Sequence, residues 1–346
     1  MSPILALCSL LAAVPSVEEM RGPFPIMSTP YFEDGTVDCD GLKREAAWLI
    51  RCGTPGAIWC QSNDAIDLLS TEEKFRGFEA CATACEGADI VLALGANGTN
   101  ATEMLEIAAE IERIAARHPK TRVAMVSRPP DDVRTQEELK EAWERLAEVA
   151  HRPVVFQTFG SPDTPTPSVD LLAELAQVHP AIYGYVKEEA AGFGAVERMA
   201  EENRRGVFKT LFAGWSGWQV LAQIRQCGCM GLVTERCQYA PVLGKLWRDW
   251  RRGERGVTLA QDVALFRLLT DQRNFPGDMR GYHLYFFVKA GVFKNMLSRE
   301  YANHRDFDGA PYGIGREWKL ERTQLNEIQK RELDLLYSDM QAFVKD

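Results

Sequence analysis

The sequence has little of what a metal enzyme or a nucleic-acid binder needs. Only five histidines occur in 346 residues. None lies near enough to a cysteine pair to complete a zinc set, and Cys81-x3-Cys85 and Cys227-Gly-Cys229 lack ligand spacing. No strand-like segment ends in a His/Asp/Glu group, so no metal and no other cofactor is expected. Net charge is −9. The one basic stretch, WRDWRRGERG at 247–256, is broken by acids, which excludes a phosphate-tracking surface and reads as a solvated helix end. No apolar run reaches the roughly 20 residues of a membrane helix, so no membrane partner is expected. The run nearest to one, SPILALCSLLAAVPS, lacks a positively charged n-region and a good cleavage site. Residues 1–21 are therefore expected to be a leader, packed or loosely attached, rather than a cleaved signal. The nine cysteines are an odd number in a long chain, and several sit in apolar runs, as buried thiols of a cytoplasmic protein do. A glycine fingerprint after the first strand is also missing; TPYFEDG stands there, which argues against an open dinucleotide-binding sheet.

What is present is a rhythm. Short apolar runs at 24–30, 56–61, 89–95, 121–127, 152–158, 182–187, 207–214 and 228–234 read as strands. Between them lie segments with helical spacing, such as DCDGLKREAAWLIRCG (38–53) and STEEKFRGFEACATAC (70–85), the latter opened by Ser70 with Glu73 three residues on. Strands too apolar to expose a face argue a parallel sheet covered by helices. Eight units in succession predict a (β/α)8 TIM barrel over residues 22–239. Residues 240–346 are expected to add an all-helical C-terminal region, and GYHLYFFVKAGVF within it reads as core or subunit contact.

One lysine stands out. In AIYGYVKEEAAG (181–192), Lys187 ends an apolar strand. It can be ordinary surface charge beside Glu188 and Glu189. In a barrel, however, the carboxyl ends of the strands carry the chemistry. Desolvation disfavours the charged form of an amine, and a neutral amine attacks a ketone. Tyr185, two residues back, shares the inward direction if the strand is regular.

Taken in order, several segments resemble the dihydrodipicolinate synthase / N-acetylneuraminate lyase family of class I aldolases over roughly residues 22–300. GPFPIMSTPYFEDGTVDCDGL is similar to the family's first strand and turn. GTPGAIWCQSNDAIDLLSTEEK is similar to its second strand, carboxylate loop and helix start, and VLALGANGTNATEMLEIA to its third unit. GYVKEEAAG resembles the Schiff-base motif, and FAGWSG (with Gly214) and GCMGLVTERCQYAP the ends of strands seven and eight. The resemblance implies that Lys187 forms an imine with pyruvate or another 2-keto acid, and that the loop at 61–65 holds the substrate carboxylate through Ser62 and Asn63. It also implies a homotetramer or dimer. An ordinary strand-to-helix connection is the other reading of that loop, and Asp64 would carry negative charge toward the anion unless it turns away.

The sequence departs from the family where strand five ends. The family has a proton-relaying tyrosine there; VVFQT places Phe156 at that position. The tyrosines after strand four are replaced by VSRPPDD, which offers Arg128. Tyr185 is the first candidate to replace the missing hydroxyl, with Glu189 and Tyr239 behind it; each can equally be structural. Arg128 and Arg236 are candidates for a second acidic group on the substrate, or for salt bridges. The expected function is lyase or aldolase chemistry on a small sugar-acid-like substrate through a lysine Schiff base. The alternative is a barrel that binds a small acid, as sensor or scaffold, without turnover.

Overall fold

The computed structural model describes residues 20–61, 64, 66–159, 163–189, 194–217, 219–253, 256–270, 281–307, 310–313 and 316–342. All of the expected leader except residues 20 and 21 lies outside them. From Gly22 onward strand and helix alternate: β1 (Gly22–Pro25), α1 (Cys39–Cys52), β2 (Gly56–Trp59), α2 (Thr71–Ala84), β3 (Val91–Gly95), α3 (Ala101–Arg117), β4 (Arg122–Ser127), α4 (Gln136–Val149), β5 (Val154–Gln157), α5 (Val169–Val178), β6 (Tyr183–Glu188), α6 (Gly194–Arg205), β7 (Thr210–Ala213), α7 (Val220–Gln226), β8 (Gly231–Thr234) and α8 (Ala240–Arg251). The strands pair in the order β1-β8-β7-β6-β5-β4-β3-β2, and a parallel bridge between Ile26 and Ile58 closes the ring. The fold is the (β/α)8 barrel read from the alternation.

Local chemistry starts these helices where the sequence places them. Ser70 and Thr135 form capping boxes with Glu73 and Glu138. Asn100 and Ser168 accept from the third helical N–H of α3 and α5. Each such cap satisfies a donor that the first helical turn leaves open. The strands then sort by a two-residue period. Phe24, Ile26, Ile58, Val91, Ala93, Ala124, Val126, Val155, Tyr185, Phe212 and Val233 fill the barrel interior as one cluster. Their alternates, among them Trp59, Leu92, Met125, Phe156 and Val186, join the helix layer; Tyr183 joins it too, because the β5–β6 register shifts between Tyr183 and Tyr185. The described cysteines, none in a disulfide, behave as small hydrophobes. Burial pushes Cys52, Cys60, Cys85 and Cys229 up to about 12.

After α8 the chain adds α9 (Val257–Thr270), α10 (Gly281–Lys289), the strands β9 (Leu297–Tyr301), β10 (His304–Phe307), β11 (Ala310–Gly313) and β12 (Trp318–Arg322), and finally α11 (Glu327–Ala342). The all-helical expectation for this region is therefore corrected: β9 pairs antiparallel with β12, and β10 with β11. The aromatic helix also stops earlier than its composition suggests. Gly291 adopts φ +69°, and the N–H groups of Ala290 and Val292 close onto Phe286 and Phe287 carbonyls. A left-handed glycine ends a helix without steric cost. The β strands escaped notice because LSREY and WKLER carry charged residues, which suit a solvated helix as well as a short exposed ribbon.

Arg299 of β9 fastens this ribbon to the barrel. Its guanidinium is buried and uses all five donors: Nε and Nη2 to Gly35 O, Nη1 to Leu68 O, and Nη1 and Nη2 to the two oxygens of Glu73. Tyr31 and Trp318 cover it at 4.9 and 4.1 Å. Removing one partner of a buried ion pair leaves an uncompensated charge. Arg299→Met is expected to cost about 3–5 kcal/mol, read from the urea midpoint at neutral pH. A change below ~1 kcal/mol, the range of an exposed pair, would show that the contact does not hold the ribbon.

On the outer face of β6, Glu188 packs against α6. It accepts from Arg198 Nε at 3.2 Å and from Thr158 Oγ1 at 3.3 Å. Glu202 faces it, fully buried, and among the described residues neither Glu202 oxygen has a donor. The two carboxyls can bond only if one of them carries a proton. Burial, and then the Glu188 charge, push Glu202 well above the ordinary carboxylate range. A raised folded pKa contributes stability that is complete below the unfolded value and is lost as pH rises toward the folded one. Glu202→Gln should therefore stabilise the fold at pH 7 and do little near pH 4, with a slope up to about 1.4 kcal/mol per pH unit between. Thermal midpoints across that range check it; a pH-independent effect would contradict it.

Candidate active site

The carboxyl ends of the strands continue the inward alternation one step beyond the apolar interior. Counting two residues on from Val126, Val155, Tyr185 and Phe212 reaches Arg128, Gln157, Lys187 and Gly214. The ladder confirms the level between β5 and β6, where Gln157 is the register partner of Lys187; on β7 the partner of Lys187 is Phe212, two residues before Gly214. Lys187 is 1 % exposed. Its Nζ lies 2.8 Å from Glu189 Oε1 and donates to Gln61 Oε1 at 3.2 Å. Gln61 Nε2 in turn donates to Gln157 Oε1 at 2.8 Å. An ammonium has donors only, so Gln61 must present its oxygen to the lysine and its amide nitrogen to Gln157. The amine thus sits at the centre of a buried polar chain spanning β2, β5 and β6.

Backbone strain helps to bring Gln61 there. Cys60 adopts φ +69°, a left-handed conformation that costs a non-glycine residue about 1–2 kcal/mol. Its carbonyl turns toward β3, where Asn97 Nδ2 donates to it at 3.3 Å. A Cβ on Gly95 would stand 1.8 Å from that oxygen, so glycine is required at that point.

Glu189 is the second group of the site. Its N–H donates to Thr158 Oγ1 at 2.8 Å, and its carbonyl accepts from the Trp215 indole. A Cβ on Gly214 would lie 2.5 Å from Glu189 Cγ, so the glycine leaves room for that side chain. Burial pushes the Glu189 carboxyl above its ordinary value, and the Lys187 ammonium opposes the rise without cancelling it. Among the described residues Glu189 Oε2 has no hydrogen-bond partner. A buried acceptor without a donor is costly unless something fills the place.

Several expected site residues do not contact the amine. Phe156 points outward, stacked on Tyr183 at 4.3 Å and against Trp143 at 4.6 Å. The inward residue at the end of β5 is Gln157, and the one-residue offset moves the assignment to the other face of the strand. Tyr185 is inside the barrel, with Lys209 Nζ 5.9 Å from its ring, but the amine's partners are Glu189 and Gln61. Tyr239 is buried against Phe286 in the helix layer. Arg128 is buried, and its Nη2 is shared between Asp67 and Asp131, each at 3.1 Å; two carboxylates already hold it. Arg236 lies 3.3 Å from Glu235. Asp64 accepts from the Thr29 N–H and hydroxyl, on the segment that follows β1. Ser62 and Asn63 lie outside the described residues. Gln61 and Gln157 match no motif that marks a functional residue. The two-residue period could have found Gln157, but every residue before it in VVFQ is apolar, which hides the phase.

The chain matches the model of the dihydrodipicolinate synthetase family over residues 19–269. It is 29% identical over 273 residues to a 4-hydroxy-tetrahydrodipicolinate synthase of Rhizobium meliloti (strain 1021), covering 79% of this chain and 84% of that protein. Two solved structures share the fold. A dihydrodipicolinate synthase from Aquifex aeolicus superposes with a TM-score of 0.71 at 17% identity, over 94% of this chain and 100% of that one. A Ruminococcus gnavus sialic acid aldolase gives 0.72 at 13%, over 94% and 99%.

Proposed function

Because this chain belongs to the dihydrodipicolinate synthetase family, we propose that it is a lyase or aldolase that engages a 2-keto acid of the pyruvate type through a Schiff base on Lys187. The observation that carries this reading is a buried amine at a strand end with a partly unsatisfied carboxyl 2.8 Å away. Glu189 takes a proton from the ammonium. Lys187 Nζ then attacks the ketone carbon; Glu189 passes the first proton to the oxygen, takes a second from the carbinolamine nitrogen and hands it on, so that the oxygen leaves as water and the protonated imine remains. The resulting iminium draws electrons from the adjacent carbon. Loss of a proton there gives an enamine, which can attack an aldehyde carbon; the reverse sequence cleaves that bond. Water finally returns the lysine and the keto acid.

Glu189 fits the relay because its raised pKa brings it closer to working pH, where a general acid–base group is most efficient. Gln157 occupies the inward end of β5. Its amide can donate a hydrogen bond but cannot shuttle a proton, which leaves that task to the carboxyl. Ser62 and Asn63 remain the proposed holders of the substrate carboxylate. The test is exchange of pyruvate methyl hydrogens with deuterium oxide, followed by proton NMR. Enzyme-dependent exchange supports an enamine. Binding of pyruvate without exchange would select the non-catalytic reading instead.

A further inference from the structure

The mouth of the barrel is two-sided. Over β2 and β4 it is charged, with Arg128 held between Asp67 and Asp131. Over β5 to β7 the described residues present rings. Phe159 follows β5 and Trp215 follows β7, and their centroids lie 5.9 Å apart at 55°, so the pair bridges the end of the lysine strand. Both are tied to Glu189: Trp215 through its indole N–H to the Glu189 carbonyl, and Phe159 through its neighbour Thr158, whose hydroxyl accepts from the Glu189 N–H. Trp215 is nevertheless 46 % exposed and holds a left-handed φ of +45°. Singly exposed hydrophobic residues are ordinary. A strained, tethered indole paired with a second ring above a buried amine is a built surface. Gly214 adds no side chain to it, and the Thr158 hydroxyl is already engaged.

In a ring of eight strands β2 stands opposite β6. A 2-keto acid with its carboxylate on the β2 loop and its carbonyl carbon at Lys187 directs its remaining carbons away from β2, toward this bridge. We infer that Phe159 and Trp215 form the subsite for the distal part of the substrate and select a flat apolar ring over a polyhydroxylated chain. Aromatic surfaces favour such a partner through area and offset stacking. The inference rests on Lys187 as the anchoring amine.

Calorimetric binding to the full chain tests it, with 2-oxo-4-phenylbutanoate as the ring-bearing probe, 2-keto-3-deoxygluconate as the polyol probe and pyruvate as the reference. The phenyl compound should bind roughly tenfold tighter than the polyol. Trp215→Ala should reduce that preference by about the same factor and weaken the phenyl probe far more than pyruvate. Phe159→Leu, which keeps the indole hydrogen bond, should remove part of it. A polyol that binds as tightly or more tightly overturns the inference, as does a Trp215→Ala loss that is equal for pyruvate and the phenyl probe. Borohydride trapping with pyruvate runs alongside. An adduct without ring preference strikes the ring subsite alone; ring preference without an adduct upholds the subsite and strikes the imine.

Discussion

Lys187→Arg is expected to abolish pyruvate hydrogen exchange, lowering it by roughly 10⁴-fold or more, the scale of removing a covalent nucleophile. Arginine keeps a positive charge beside Glu189 but cannot form the imine. The buried pair of Lys187 and Glu189 makes this substitution more informative than alanine, because an unpaired buried carboxylate would confuse loss of chemistry with loss of fold. Lys187→Met provides the second arm. Glu189 already has a raised pKa, so it can take up a proton when the ammonium is gone. Circular dichroism and the urea midpoint should show both variants folded. Exchange within tenfold of the wild-type rate in either would place the nucleophile elsewhere.

Glu189→Gln is expected to lower exchange by about 10²–10⁴-fold, the usual contribution of a positioned acid–base group, while imine formation persists at long incubation. The pH profile separates this role from simple positioning. As a base, Glu189 acts when deprotonated, so the wild-type rate should rise with pH through a pKa above the ordinary glutamate value. That limb should vanish in Glu189→Gln and return, displaced, in Glu189→Asp. A glutamine variant that retains the limb would assign the proton transfer to another group, with Tyr185 the nearest alternative on the same strand.

The barrel was legible because parallel strands buried on both faces leave uninterrupted apolar runs, and because helix starts such as Ser70 with Glu73 announce themselves through capping chemistry. Lys187 was legible for the same reason: a cation at the end of such a run is out of place unless the run ends in a cleft. Phe156 was not, because an apolar strand contains no signal of phase. Only packing against Trp143 and Tyr183 shows which way its ring turns. Arg128 read either as a ligand for an acid or as a salt bridge to Asp131 or Asp132, three or four residues on; the Asp131 bridge is there, while its second partner, Asp67, is 61 residues away and left no local signal. The strained Cys60 that carries Gln61 into the barrel has no sequence mark, since left-handed conformations announce themselves mainly through glycine or asparagine. The β9–β12 ribbon was hidden by charged residues that serve a solvated helix equally well.

The central claim is that Lys187 forms a covalent imine with a 2-keto acid. Reduction with borohydride in the presence of pyruvate, followed by peptide mass spectrometry, tests it most directly. One reduced pyruvate per chain is expected, on the peptide bearing Lys187, absent from Lys187→Arg and retained in Glu189→Gln. No adduct at Lys187 across a panel of 2-keto acids, or an adduct on a different lysine, would contradict it.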